Sequence, residues 1–240
     1  MRYLSILLVS SMAAFMNCSR PAENSSAAAA TTVTTPAPAK IEPASTAATA
    51  DCPNYFYYYN QEKISLKVKP HFLVVSFQAG LSTEAKTRIL KQFPEYEMAT
   101  QEQTTDVMPF QIVKLRAGTT CAQAMPVLTK LNGTPEVIYA NPVFNAPTAL
   151  GKGTAWIGLT SEFLVNIKSP ANAAELKALA TQTKTKVVEE LGETTFLLQA
   201  TKTSQGNALE MANFFHEQTF VTGAEPDFYV AAETGGLKKN

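Results

Sequence analysis

Histidine, cysteine and tryptophan are scarce in this chain: two, three and one respectively among 240 residues. No Cys-x-x-Cys pair and no cysteine–histidine cluster occurs, so zinc and dithiol redox chemistry lack a ligand set, and no motif asks for a cofactor. Net charge is missing too, because lysine plus arginine equals aspartate plus glutamate at 20 each. No global field therefore draws the chain to nucleic acid or to an anionic membrane surface. No apolar run reaches the roughly 20 residues that a membrane-spanning helix needs. What remains is an ordinary globular composition, long enough for one large domain or two small ones.

The N-terminal end carries the first positive signal. Met1-Arg2 precedes an apolar run from Tyr3 to Met16, and the sequence then turns abruptly polar at Asn17-Cys18-Ser19-Arg20. A positive residue, a short apolar stretch and a polar break predict a secretory signal over residues 1–17. Phe15-Met16-Asn17-Cys18 resembles a relaxed form of the lipobox of bacterial lipoproteins, which are cleaved just before a cysteine that then carries lipid. Met16 and Asn17 depart from the small residues usual there. The resemblance implies lipidation of Cys18 and a place in the bacterial cell envelope, attached to the membrane through that anchor alone. The alternative is ordinary cleavage, with Cys18 removed or incidental.

Residues 18–50 are almost entirely Ala, Thr, Ser and Pro, as in Ser25-Ser26-Ala27-Ala28-Ala29-Ala30. Such a stretch lacks the large apolar side chains that offset the entropy of ordering a chain, so it is expected to be a flexible linker. If Cys18 is lipidated, Cys52 and Cys121 remain. Either they form one disulfide, closing a loop of about 70 residues, or they stay unpaired because their Cα atoms lie too far apart.

From Asp51 onward strand and helix periods alternate. The run Tyr55-Phe56-Tyr57-Tyr58-Tyr59, then Asn60-Gln61, then Ile64-x-Leu66-x-Val68 predicts a β-hairpin with half of its aromatics in the core. A first unit follows: strand Phe72–Phe77, a helix opened by Ser82-Thr83-Glu84, strands Tyr96–Ala99 and Phe110–Leu115, a helix over about Thr120–Leu131, and strand Glu136–Ala140. A second unit repeats that order: strand Phe163–Lys168, a helix from about Ala173 to Lys184, strands Val187–Leu191 and Thr195–Ala200, a helix over about Asn207–Gln218, and strand Val221–Val230. Ala140-Asn141-Pro142-Val143-Phe144 and Ala224-Glu225-Pro226-Asp227-Phe228 close the two units alike. The expected class is therefore α+β, two tandem ferredoxin-like βαββαβ units behind a hairpin. The expected boundaries are 51–148 for the hairpin and first unit, 149–160 for a connector, 161–232 for the second unit and 233–240 for a tail.

The opening "YYYNQEKISL" and the closing Val137-Ile138-Tyr139-Ala140-Asn141-Pro142 are similar to the N-terminal propeptide-like regions of secreted subtilisin-type serine proteases. The similarity covers about Tyr55 to Phe144 well and the second unit more loosely. It implies a fold that packs its sheet on a protease, assists the enzyme's folding, can inhibit it, and feeds an extended tail toward the cleft. On that basis a subtilisin-like protease, or another envelope protein, is the expected partner. Asn141, Pro142, Phe144, Glu225, Pro226 and Phe228, with the segments 141–147 and 231–240, are the candidate contacts.

The protease itself has no counterpart. A subtilisin-type centre needs Asp, His and Ser together, and neither His71 nor His216 has the glycine-rich surroundings of the family's catalytic histidine. Glu189 and Glu190 are neighbours on a strand and point to opposite faces, so they cannot work on one substrate. Gly151-Lys152-Gly153-Thr154 lacks the full spacing of a phosphate loop and its flanking strand and helix. No catalytic residue is assigned, and Trp156 is expected to pack between the units.

Overall fold

A computed structural model of the chain describes residues 52–147 and 154–232. The expected signal, the linker, Cys18, residues 148–153 and the tail 233–240 lie outside them. The described chain is mixed α and β, with antiparallel strand pairing and four helices.

Strands β1 (Tyr55–Tyr59) and β2 (Glu62–Leu66) form the expected hairpin. Asn60 and Gln61 both take positive φ, as a two-residue hairpin turn requires. Tyr57 is buried and Tyr55 meets Phe144 edge-on, while Phe56 and Tyr58 are half-buried beneath Lys63, with Tyr58 stacked on His216. Half of the aromatic run is thus core.

Next come β3 (Val68–Phe77), α1 (Thr83–Leu90), β4 (Tyr96–Ala99), the two-residue β5 (Gln103–Thr104), β6 (Pro109–Leu115), α2 (Cys121–Gly133) and β7 (Val137–Asn145). Ser82 caps α1 by accepting from the Ala85 N–H. The remaining elements are β8 (Thr154–Ile167), α3 (Ala173–Thr183), β9 (Lys186–Glu190), β10 (Thr195–Gln199), α4 (Ala208–His216) and β11 (Val221–Ala232). Asn207 and Glu210 close α4 with a reciprocal capping box.

One nine-stranded sheet runs β4-β6-β3-β7-β8-β10-β9, with β11 on β8 and β5 on β6. Alternation along β3 separates two cores. Leu73, Val75 and Phe77 face α1 and α2, with Leu90, Val127 and Leu131. Val74 faces the other way with Ile112 and Val143, where Met108, Trp156 and Tyr229 cover it. A third core lies beneath α3 and α4, built from Phe163, Val165, Phe196, Leu198 and Phe215, and it reaches the hairpin at Tyr57.

Two expectations change. Residues 154–160, read as connector, are the first half of β8. Its glycine, alanine and threonine look like linker, but Gly158 is needed because a Cβ there would lie 2.7 Å from the Val74 Cγ2. The strand closing the first unit does not stop at Ala140 either. It continues through Asn141-Pro142 because β8 arrives beside it, pairing Val143 with Gly158 and Asn145 with Trp156. Pro142 is tolerated inside the sheet because the β3–β7 register breaks just beyond its partner Leu73.

Cys52 and Cys121 are joined by a disulfide, with Cα atoms 5.1 Å apart, inside the usual bridging range. The bond ties the start of the described fold to the first turn of α2.

Candidate functional site

β8 changes partner half-way along. Its first half lies beside β7, and its second half beside β10, from Glu162 opposite Gln199 to Asn166 opposite Thr195. β11 follows its other side throughout, but Pro226 faces Phe163 and Phe228 faces Leu159, so Thr160-Ser161-Glu162 oppose Asp227 alone. This bulge sits at the exchange of partners, and bulges commonly re-aim side chains at functional places.

The backbone there is satisfied by side chains and neighbours. The Thr160 carbonyl accepts from Asn141 Nδ2 at 2.8 Å, and the Ser161 carbonyl accepts from the Ala200 N–H at 2.8 Å. Thr160 Oγ1 donates to the Asp227 carbonyl at 2.9 Å.

The bulge turns Glu162 inward, and the residue is 1% exposed. Its Oε1 accepts from Ser161 Oγ at 2.8 Å and lies 3.1 Å from Thr105 Oγ1, while its Oε2 has no hydrogen-bond partner among the described residues. Thr105 Oγ1 is equally 3.1 Å from the Met108 carbonyl, and its single proton serves one acceptor at a time. The same oxygen accepts from the Val107 and Met108 N–H groups, which shapes the loop Thr105–Met108 over the site. Gln199 Nε2 donates to Ser161 Oγ at 3.2 Å.

Two more oxygen groups belong to this chamber. Tyr139 is buried, its Oη has no hydrogen-bond partner, and burial followed by the Glu162 charge pushes its pKa well above the ordinary phenol value. Asp227 is exposed as a residue, yet desolvation of its carboxyl, then the Glu162 charge, raises its pKa. The salt bridges of the described residues join Lys86 to Glu102, Lys114 to Glu97 and Lys177 to Glu190. None reaches Glu162 or Asp227. Among the described residues no group of three or more His, Cys, Asp or Glu side chains is placed to hold a metal ion.

The contacts inferred from the closing motifs are redistributed. Asn141 is buried and spends its amide on Thr160. Pro142 is buried in β7, and Phe144 is buried with its ring edge-on to Tyr55 and Phe228. These three therefore face the interior and are unavailable to a partner in this fold, because β7 is an inner strand. Pro226 is buried as well, Phe228 is half-buried against Tyr57, and Glu225 alone of the six is exposed. Trp156 packs between the halves as expected, stacked on Phe72 at 5.6 Å and tilted over Tyr229 at 5.8 Å.

Sequence reasoning missed Glu162. One signal was present: a lone carboxylate inside Ile157-Gly158-Leu159-Thr160-Ser161-Glu162-Phe163-Leu164-Val165, a run otherwise apolar or small. Buried charge in such a run needs compensation.

No protein-family model matches the chain, and no curated protein sequence does.

Proposed function

We propose that this is an exported protein, lipid-anchored through Cys18, that binds another protein without catalysing a reaction. In this reading it is built from two tandem ferredoxin-like units behind a hairpin and is related to the propeptides of subtilisin-type proteases. The strand orders β4-β6-β3-β7 and β9-β10-β8-β11 support the duplication, since each places the second, third, first and fourth strands of its unit side by side.

The observation that carries the binding role is β11. It has β8 as its sole strand partner among the described residues. One backbone edge of this twelve-residue strand therefore has no strand beside it. Its start is engaged, the Thr222 carbonyl by Gln61 Nε2 and the Ala224 N–H by His216 Nδ1, which leaves the later part for β-augmentation by an extended segment. Exposed Glu225 and Val230, the latter 52% exposed, lie along that strand. The histidines support a non-catalytic reading. His216 stacks on Tyr58 at 4.0 Å and uses Nδ1 to accept from the Ala224 N–H, and His71 packs on Phe72.

A second reading, a structural or adhesive envelope lipoprotein with no protease partner, is favoured by the covered helix-free face. The family resemblance implies that this face of the first unit docks on an enzyme, and here Trp156, Met108 and Tyr229 occupy it. Titrating the purified full chain against secreted subtilisin-like proteases separates the two. Slowed peptide cleavage supports the propeptide-like role, and no complex with any of them favours the structural one. Replacing Cys18 by Ser should move the protein out of the membrane fraction, and unchanged partition would overturn the anchor.

A further inference from the structure

Glu162 presents an electrostatic problem. A carboxylate removed from water costs far more than one or two hydroxyl donors return, unless a positive charge completes its environment. No lysine or arginine of the described residues does so, and the neighbouring Asp227 adds a second carboxylate.

Two orphan atoms, and one hydroxyl divided between two acceptors, lie at this chamber. Glu162 Oε2 has no hydrogen-bond partner. The Tyr139 Oη, on a residue 2% exposed, also has none, and that phenol lies close enough to feel both the Ser161 hydroxyl and the Glu162 charge. The Thr105 hydroxyl is divided between Glu162 Oε1 and the Met108 carbonyl. Among the described residues the ligating atoms of the chamber are oxygens apart from the Met108 thioether at its edge, whose Sδ lies 3.5 Å from Gln199 Nε2. Asp227 lies on the solvent side, and the Thr105–Met108 loop forms the roof.

We propose that the bulged junction of β8 is a binding site for a divalent, oxygen-preferring cation of the calcium type, held by Glu162 and Asp227 with Ser161, Thr105 and Tyr139 as neutral oxygen donors. Two carboxylates balance one divalent charge, and neutral oxygens and water fill the remaining positions of a calcium shell. The site has fewer acidic ligands than a dense calcium site, so its affinity is set mainly by the burial of Glu162. An ion there would join the Thr105–Met108 loop, β8 and β11, and so brace the junction of the two halves. It serves structure, and it stands or falls independently of any protein partner.

Terbium offers a direct probe, because it occupies calcium sites and its emission is sensitised by a nearby tyrosine such as Tyr139. The full chain, stripped with a chelator, should give sensitised emission on adding Tb3+, and excess Ca2+ should remove it. Glu162→Gln should weaken binding at least about tenfold. If that variant does not fold, Asp227→Asn, at an exposed position, decides the matter: Ca2+ should raise the melting temperature of the wild type, and clearly less that of D227N. Absence of sensitised emission from the wild type, or emission and Ca2+ stabilisation that E162Q or D227N retains in full, overturns the site. The chamber would then hold only water.

Discussion

Gly158 of β8 sits directly over Val74 of β3, so close that a Cβ on the glycine would lie 2.7 Å from the valine Cγ2. That contact fixes how tightly the start of β8 lies on the first half of the molecule. Gly158→Ala should therefore overpack a fully buried spot and cost about 1–3 kcal/mol. Urea unfolding followed by the fluorescence of Trp156, the single tryptophan, measures it at the place affected. An unchanged midpoint would mean that β8 can lift without penalty.

The Cys52–Cys121 bond closes a sequence separation of 69 residues, for which the chain-entropy model gives about 4 kcal/mol. Replacing both cysteines by serine should lower the urea midpoint and steepen the slope, because the unfolded chain without the cross-link exposes more surface. A loss below about 1 kcal/mol would mean that packing alone holds Cys52 beside α2.

His216 gives the fold an acid-sensitive contact. Burial lowers its pKa below the ordinary 6.5, with Glu217 opposing, and its Nδ1 must be unprotonated to accept from the Ala224 N–H. The folded state thus prefers the neutral ring, so its contribution is complete above pH 6.5 and declines as the pH falls through 6.5 toward the depressed folded value. Stability of the wild type minus that of His216→Gln should shrink from about pH 7.5 to about pH 5. The subtraction matters because Glu225 and Asp227, whose pKa values are raised by burial, titrate with the opposite sign. A difference independent of pH would show that the ring only packs on Tyr58.

Lys184 ends α3 at φ +56°, with its N–H returning to the Ala180 and Thr181 carbonyls. That left-handed geometry costs an L residue about 1 kcal/mol and glycine nothing. Lys184→Gly should stabilise the protein by roughly 0.5 kcal/mol after the greater chain entropy of glycine is deducted. A fall in melting temperature would show that the lysine stem packs usefully.

Local chemistry was legible where a few neighbouring residues decide it. Asn60-Gln61 marks its hairpin turn, Ser82 and Asn207 mark helix starts, alternation marks Ile64-x-Leu66-x-Val68, and short apolar runs mark β3, β6 and β10. What escaped depends on residues far apart in sequence. β8 begins with small residues because Val74 lies beneath it, and nothing near Gly158 in the chain reveals that neighbour. Asn141, Pro142 and Phe144 looked like a tail because their cover comes from β8, β11 and the hairpin. The same holds for the polar chamber, where Thr105, Tyr139, Glu162 and Asp227 meet only after the sheet closes.

The position of the disulfide has a mechanical consequence. A pull arriving at residue 52 reaches a fork, one branch running along the chain into β1 and the other through sulfur into α2, whose buried side chains anchor it in the core. With the bond intact, the covalent branch takes load before the β1–β2 hairpin can be peeled away strand by strand. With the bond reduced, the same pull falls on β1 first, so the hairpin becomes the element that yields.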